Sequence, residues 1–125
     1  MILLDTDVVV DILRNHPPAV NWLQGLGPAP LGIPGLVLME LLQGCQNKAE
    51  QQRVEQCCQG RPLHWPTEAD CQRALQDFAA YHLSNNLGLL DALIAQTAVG
   101  LNEPLATFNV KHYGVVTGLT TIQPY

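Results

Sequence analysis

The sequence has little positive charge. Its 125 residues include six lysines and arginines against eleven aspartates and glutamates, a formal net charge of -5. That balance argues against a protein that grips nucleic acid mainly through bulk electrostatics. A metal in an acidic pocket would reverse the local sign, so a phosphodiester substrate stays open. Long apolar runs are missing as well. No stretch approaches the roughly 18 residues of a membrane span, and the N-terminus reaches Asp5 without the basic region of a signal peptide. The expectation is a cytoplasmic protein with no membrane association. Cys45, Cys57, Cys58 and Cys71 form no Cys-x-x-Cys pair and have no histidine at zinc-ligand spacing. Reduced thiols in a reducing compartment are the simplest reading. No repeat, linker or charge block divides the chain, and the Gly/Pro-rich stretch 25–30 is only a connection. The length suits one domain, residues 1–125, with a core of its own.

Short apolar runs at 2–4, 31–33, 62–65, 105–107 and 120–122 predict strands. Helices are expected at 8–14, 18–26, 35–43 and 49–59. Thr67 can cap another, with Glu68 and Asp70 in its first turn and an apolar stripe of Cys71, Ala74, Leu75, Phe78 and His82. A further helix follows Gly88, with Leu90, Leu93, Ile94, Thr97, Ala98 and Leu101 at helical spacing, and 109–113 forms a helical turn. Asp11 and Arg14 are spaced to form an exposed pair. Alternating strands and helices predict an α/β fold, with a central parallel sheet of short strands flanked by helices on both faces. Ligand sites in such sheets lie at the C-terminal ends of strands, and Asp5 and Asn109 both fall just past one.

Against so few cations, four acids stand out. Asp5 ends the run Met1–Leu4, and Asp7 follows two residues later. Glu40 interrupts the apolar stretch 36–42, and Asp91 opens the apolar helix after Gly88. Each has a plain alternative: Asp5 and Asp91 could cap helices, and Asp7 could favour a helix dipole. Glu40 could accept a buried hydrogen bond, because a helix apolar nearly all round implies burial. A carboxylate leaving water without compensating charge is penalised by several kcal/mol or takes up a proton. Acids on three elements of one α/β domain point to a divalent cation, and Mg²⁺ or Mn²⁺ suits carboxylate oxygens while also binding phosphate. The residues alone therefore predict a divalent-metal phosphodiesterase.

Four segments, 3–11, 39–44, 88–95 and 105–113, resemble in order and separation the PIN-domain family, in particular the small VapC-type ribonuclease toxins. The resemblance implies a metal-dependent endoribonuclease, usually a homodimer, acting on RNA and blocked by a cognate antitoxin protein. Asp5, Glu40 and Asp91 match the family's metal-binding, catalytic acids. Thr6 and Thr107 match supporting hydroxyl positions, and Asp7 stands where relatives often carry Asn. Many relatives place a fourth acid after the last core strand, where this chain offers Asn109 and His112. Three acids suit one tightly held ion, with any second recruited through substrate phosphate. Arg14 and Lys111 are candidates for flanking phosphates, and His112 for phosphate contact or simple packing.

Two other readings fit parts of the chain. Asp5-Thr6-Asp7 after a strand is similar to the nucleophile pair of haloacid-dehalogenase-type phosphatases, although Val8-Val9 and the remainder depart from that pattern. An intact fold without the fourth acid could also be a catalytically weak antitoxin-binding or RNA-binding module. The Gln-rich stretch 46–59 is either a contact surface or a solvated helix. Trp22 and Trp65 could stack on bases or pack, and no base-reading motif names the RNA.

Overall fold

The structure, a computed structural model, describes residues 1–125. The elements run β1 (Ile2–Leu4), α1 (Thr6–Leu13), α2 (Pro17–Gly25), β2 (Leu31–Pro34), α3 (Gly35–Gln43) and α4 (Lys48–Cys58). They continue with β3 (Leu63–His64), α5 (Glu68–Tyr81), α6 (Leu89–Leu101), β4 (Leu105–Ala106), α7 (Val110–Tyr113) and β5 (Thr121–Ile122). The five strands are all parallel, in the order β3-β2-β1-β4-β5. With the right-handed crossovers that parallel sheets almost always use, this order puts α1–α4 on one face and α5–α6 on the other. Packing agrees, since α1 to α4 contact one another and α5 packs along α6. No helix is long and apolar enough to cross a membrane.

The central strands are covered on both faces, which explains why they read as continuous apolar runs. Leu3, Leu4, Leu105 and Ala106 are all buried in the main core, with Val8, Val9, Ile33, Val37 and Ile94. Leu4 pairs with Ala106 in register. Strand order switches sides between β1 and β4, so their C-terminal ends open a crevice, the expected place for a ligand in such a sheet.

Three local expectations are corrected. Helix α1 begins at Thr6 rather than Val8, because Asp5 accepts from the Thr6 N–H and caps it directly. Asp11 does not pair with Arg14; its carboxylate accepts from the Tyr125 hydroxyl at 2.7 Å. The stripe on α5 is also shifted. Cys71, Leu75 and His82 are exposed, while Asp70 and Ala74 are buried against α6.

That shift has a polar cause. Asp70 completes a capping box with Thr67 and pairs with Arg73. Arg73 donates to the buried Gln96 on α6 at 2.8 Å, and Gln96 donates to Asp77 at 2.6 Å. The buried Gln96 amide is thus satisfied by Arg73 and Asp77, and Arg73 also serves the buried Asp70, instead of an apolar stripe filling the contact.

Gly100 lies against this network, and a methyl group there would overlap the Asp70 carboxylate. Glycine to alanine in a helix ordinarily gains about 1 kcal/mol. Here Asp70 is held from two sides and has nowhere to move. Gly100→Ala is therefore expected to destabilise by about 1–3 kcal/mol, read as a lower urea midpoint. A raised midpoint would mean that the network yields.

Candidate metal centre

Each acid reaches the crevice by a different route. Asp5 is placed by strand pairing: its N–H donates to the Ala106 carbonyl at 3.0 Å, continuing the β1–β4 ladder by one residue. Its carboxylate accepts from the Thr6 N–H and from the Thr107 hydroxyl, each at 2.8 Å. Thr107 is itself aimed, because its oxygen accepts from the Asn109 N–H at 3.0 Å. A relay from Asn109 through Thr107 to Asp5 thus joins the ends of the two central strands.

Asp7 projects from the first turn of α1 across to the loop after β4. Its carboxylate accepts from the Phe108 N–H at 3.0 Å and lies 3.5 Å from the Thr107 hydroxyl. Asp91 sits in the first turn of α6, where one oxygen lies 3.4 Å from the buried Tyr113 hydroxyl. Glu40 comes from α3. It is half-buried rather than buried, because α3 leaves Met39 beside it 54% exposed. The expectation of a carboxylate sealed inside an all-apolar helix is corrected accordingly.

Asp5, Thr6, Asp7, Glu40, Asp91, Phe108 and Asn109 line one cavity of about 420 Å³. No lysine, arginine or histidine is among them. Thr107 stands behind Asp5 and supports the cavity from beneath. Thr6 and Glu40 also border a neighbouring cavity of about 530 Å³ between α1, α3 and α4, which holds Arg14 and Arg53. Lys111, exposed, and His112, half-buried, line neither cavity.

Electrostatics follow from this. The chain's ion pairs are Met1–Glu103 and Arg73–Asp70, so no cation pairs with any acid of the cavity. Burial pushes Asp5 up from 3.8 to about 6, the nearby Asp7 adding to the effect and the Thr107 hydrogen bond opposing it. Burial also raises Asp7, against the pull of the Phe108 and Val8 N–H groups. Tyr113 is held above its usual range by burial and then by Asp5 and Asp91, so it stays a neutral donor.

The donor set suits a hard divalent cation: carboxylates, a carboxamide and a buried Thr6 hydroxyl that has no partner of its own. No three acid, histidine or cysteine side chains are disposed to hold one ion directly. The fit is therefore to an ion that keeps part of its water shell, as Mg²⁺ does. Tyr113 is the residue that motif reading missed. A tyrosine ring packed into a core needs an acceptor for its hydroxyl, and that need is the only signal the sequence carries for it.

The chain matches the PIN-domain family model over residues 2–116, and it belongs to that family. It is 36% identical over 115 residues to ribonuclease VapC10 of Mycobacterium tuberculosis, covering 90% of this chain and 86% of the relative. Among solved structures it is similar to VapBC-1 from nontypeable Haemophilus influenzae, at TM-score 0.75 and 27% identity over 98% of this chain and 97% of that one. It shares its fold with VapBC2 of Rickettsia felis, determined bound to a promoter DNA fragment, at TM-score 0.78 and 24% identity over 98% of each chain.

The pH behaviour of Asp5 can be tested on the protein in EDTA. A carboxyl whose folded pKa lies above its unfolded value binds its proton more tightly when folded. Its contribution to stability is then fully present below the unfolded value and is lost as pH rises through about 6. The difference corresponds to about 3 kcal/mol. Asp5→Asn, which keeps the acceptor for Thr107, should unfold at higher denaturant than the parent near pH 7.5, and the gap should close toward pH 4. An equal gap at both pH values would contradict the assignment.

Proposed function

We propose that the protein is a divalent-metal-dependent endoribonuclease and the toxin of a VapBC-type toxin–antitoxin pair. The observation that carries this reading is a cavity of four carboxylates without a cation, at the switch point of a PIN fold. The 36% identity to a ribonuclease supports the same assignment. RNA is the substrate and a cognate antitoxin protein the partner, with the toxin acting as a homodimer in the cytoplasm. Four unpaired cysteines suit that reducing compartment.

Asp5, Glu40 and Asp91 would hold Mg²⁺ or Mn²⁺, directly or through water. When bound, such an ion supplies an acidified water and positive charge against the scissile phosphate. The chain's own residues do the rest. Thr6, Thr107 and Asn109 fix the Asp5 carboxylate, so its orientation is set before substrate arrives. Asp7 ties the β4–α7 loop to α1 and adds negative charge at the rim. Asp91 takes the proton of the attacking water on a carboxylate oxygen, while Tyr113 steadies the group from behind. Arg14, in the adjoining cavity, meets a flanking phosphate. Lys111 and His112, outside both cavities, meet the strand only further along.

The test is cleavage of total RNA by antitoxin-free protein in Mg²⁺, Mn²⁺ or EDTA, with Asp91→Asn prepared identically. Discrete cleavage by the parent is expected, abolished by EDTA and reduced at least about 100-fold in the variant. No cleavage by a folded, metal-bound parent would overturn the ribonuclease and favour a binding module.

A further inference from the structure

The ribonuclease reading leaves one question of affinity open. A protein with six cations cannot rely on phosphate neutralisation, and two of those cations are already engaged. Arg73 is committed to Asp70 and Gln96, and Arg53 donates to the Leu13 carbonyl at 2.7 Å. Another source of binding energy must lie near the acids.

At the rim of the acidic cavity stands Phe108, an apolar ring 36% exposed where the other lining groups are polar. The ring is held still. Its backbone N–H donates to Asp7, and the ring meets Tyr125 in a T-shaped contact with centroids 4.8 Å apart and planes at 62°. Tyr125 is pinned in turn by its hydroxyl bond to Asp11 and leans on Trp22, with centroids 6.2 Å apart. An exposed aromatic that loses little rotamer freedom on binding is well prepared for a flat partner. In a strand whose phosphate enters the carboxylate cavity, the neighbouring nucleobase is the flat group within reach.

We propose that Phe108, braced by Tyr125, is a stacking platform for the nucleobase beside the scissile phosphate. The proposal rests on the ribonuclease reading and adds to it a base-binding subsite. Stacking needs only a π-face, so the platform accepts any base and supplies affinity that does not depend on salt. Phe108 lies outside the ion-holding set, and its ring makes no polar contact with the acids. Truncating it removes a contact with substrate and leaves the acids in place.

The experiment compares binding of a short single-stranded oligoadenylate with that of an abasic ribose-phosphate oligomer of equal length. It uses the parent, Phe108→Ala and Phe108→Trp in Ca²⁺, with folding checked by thermal melting and oligomer integrity by gel. Stacking is worth on the order of ten-fold or more in affinity per base. The parent should prefer oligoadenylate by about that factor, Phe108→Ala should lose the preference, and Phe108→Trp should restore it. In Mn²⁺, Phe108→Ala should raise KM on total RNA while leaving kcat nearly unchanged. Equal binding of both oligomers by the parent would overturn the platform. So would an undiminished preference in Phe108→Ala, which would leave the ring as a contact for a protein partner. If the parent cleaves nothing yet keeps a Phe108-dependent preference, the nuclease reading fails and what stands is a base-stacking surface with no scissile phosphate beside it.

Discussion

The negative charge of Asp5 and its neighbours has no compensating cation within the chain, and the fold is arranged around that imbalance. Asp5 is buried, Asp7 is two residues away, and Glu40 and Asp91 face the same cavity from other helices. The chain's two ion pairs lie elsewhere. Such an arrangement destabilises the apo state. A bound cation would offset that penalty, with water completing its shell where the carboxylates do not reach it. Carboxylate basicity, retained by burial, matches what an ion or a proton transfer requires.

Keeping that charge in place depends on hydrogen bonds that are not themselves charged. The Asn109–Thr107–Asp5 relay uses the ends of both central strands, so pairing of Leu4 with Ala106 fixes the site as well as the sheet. Asp91 is aligned by α6, and α6 is held by the Arg73–Gln96–Asp77 network on its far side. The small residues Ala92, Ala95 and Ala98 let neighbouring elements approach closely, and all three are fully buried. Stability on one face of the sheet and geometry of the site are thus coupled through a single helix.

Much of this was legible in the sequence because the signals were local. Apolar runs ending in Asp5 and near Asn109 mark strand ends, and the alternation of elements predicts the parallel sheet. Asp5, Thr6, Asp7, Glu40, Asp91 and Asn109 do line one cavity. The features that escaped depend on tertiary neighbours. Glu40 looked buried because α3 is apolar on most sides, yet Met39 is exposed beside it. Nothing local marks Gln96 as buried, and only the packing of α5 on α6 gives it its partners Arg73 and Asp77. Tyr113 joins the site because α7 folds beneath it, and Asp11 turns to Tyr125, 114 positions away, instead of nearby Arg14.

The central claim is that the uncompensated carboxylates form a site for one divalent ion. Calorimetric titration of Mn²⁺ into the metal-free protein near neutral pH, without RNA, tests it most directly. The account predicts a single binding site, lost or strongly weakened in Asp5→Asn and in Asp91→Asn. Absence of binding, two equally tight sites, or unchanged binding in both variants would contradict it.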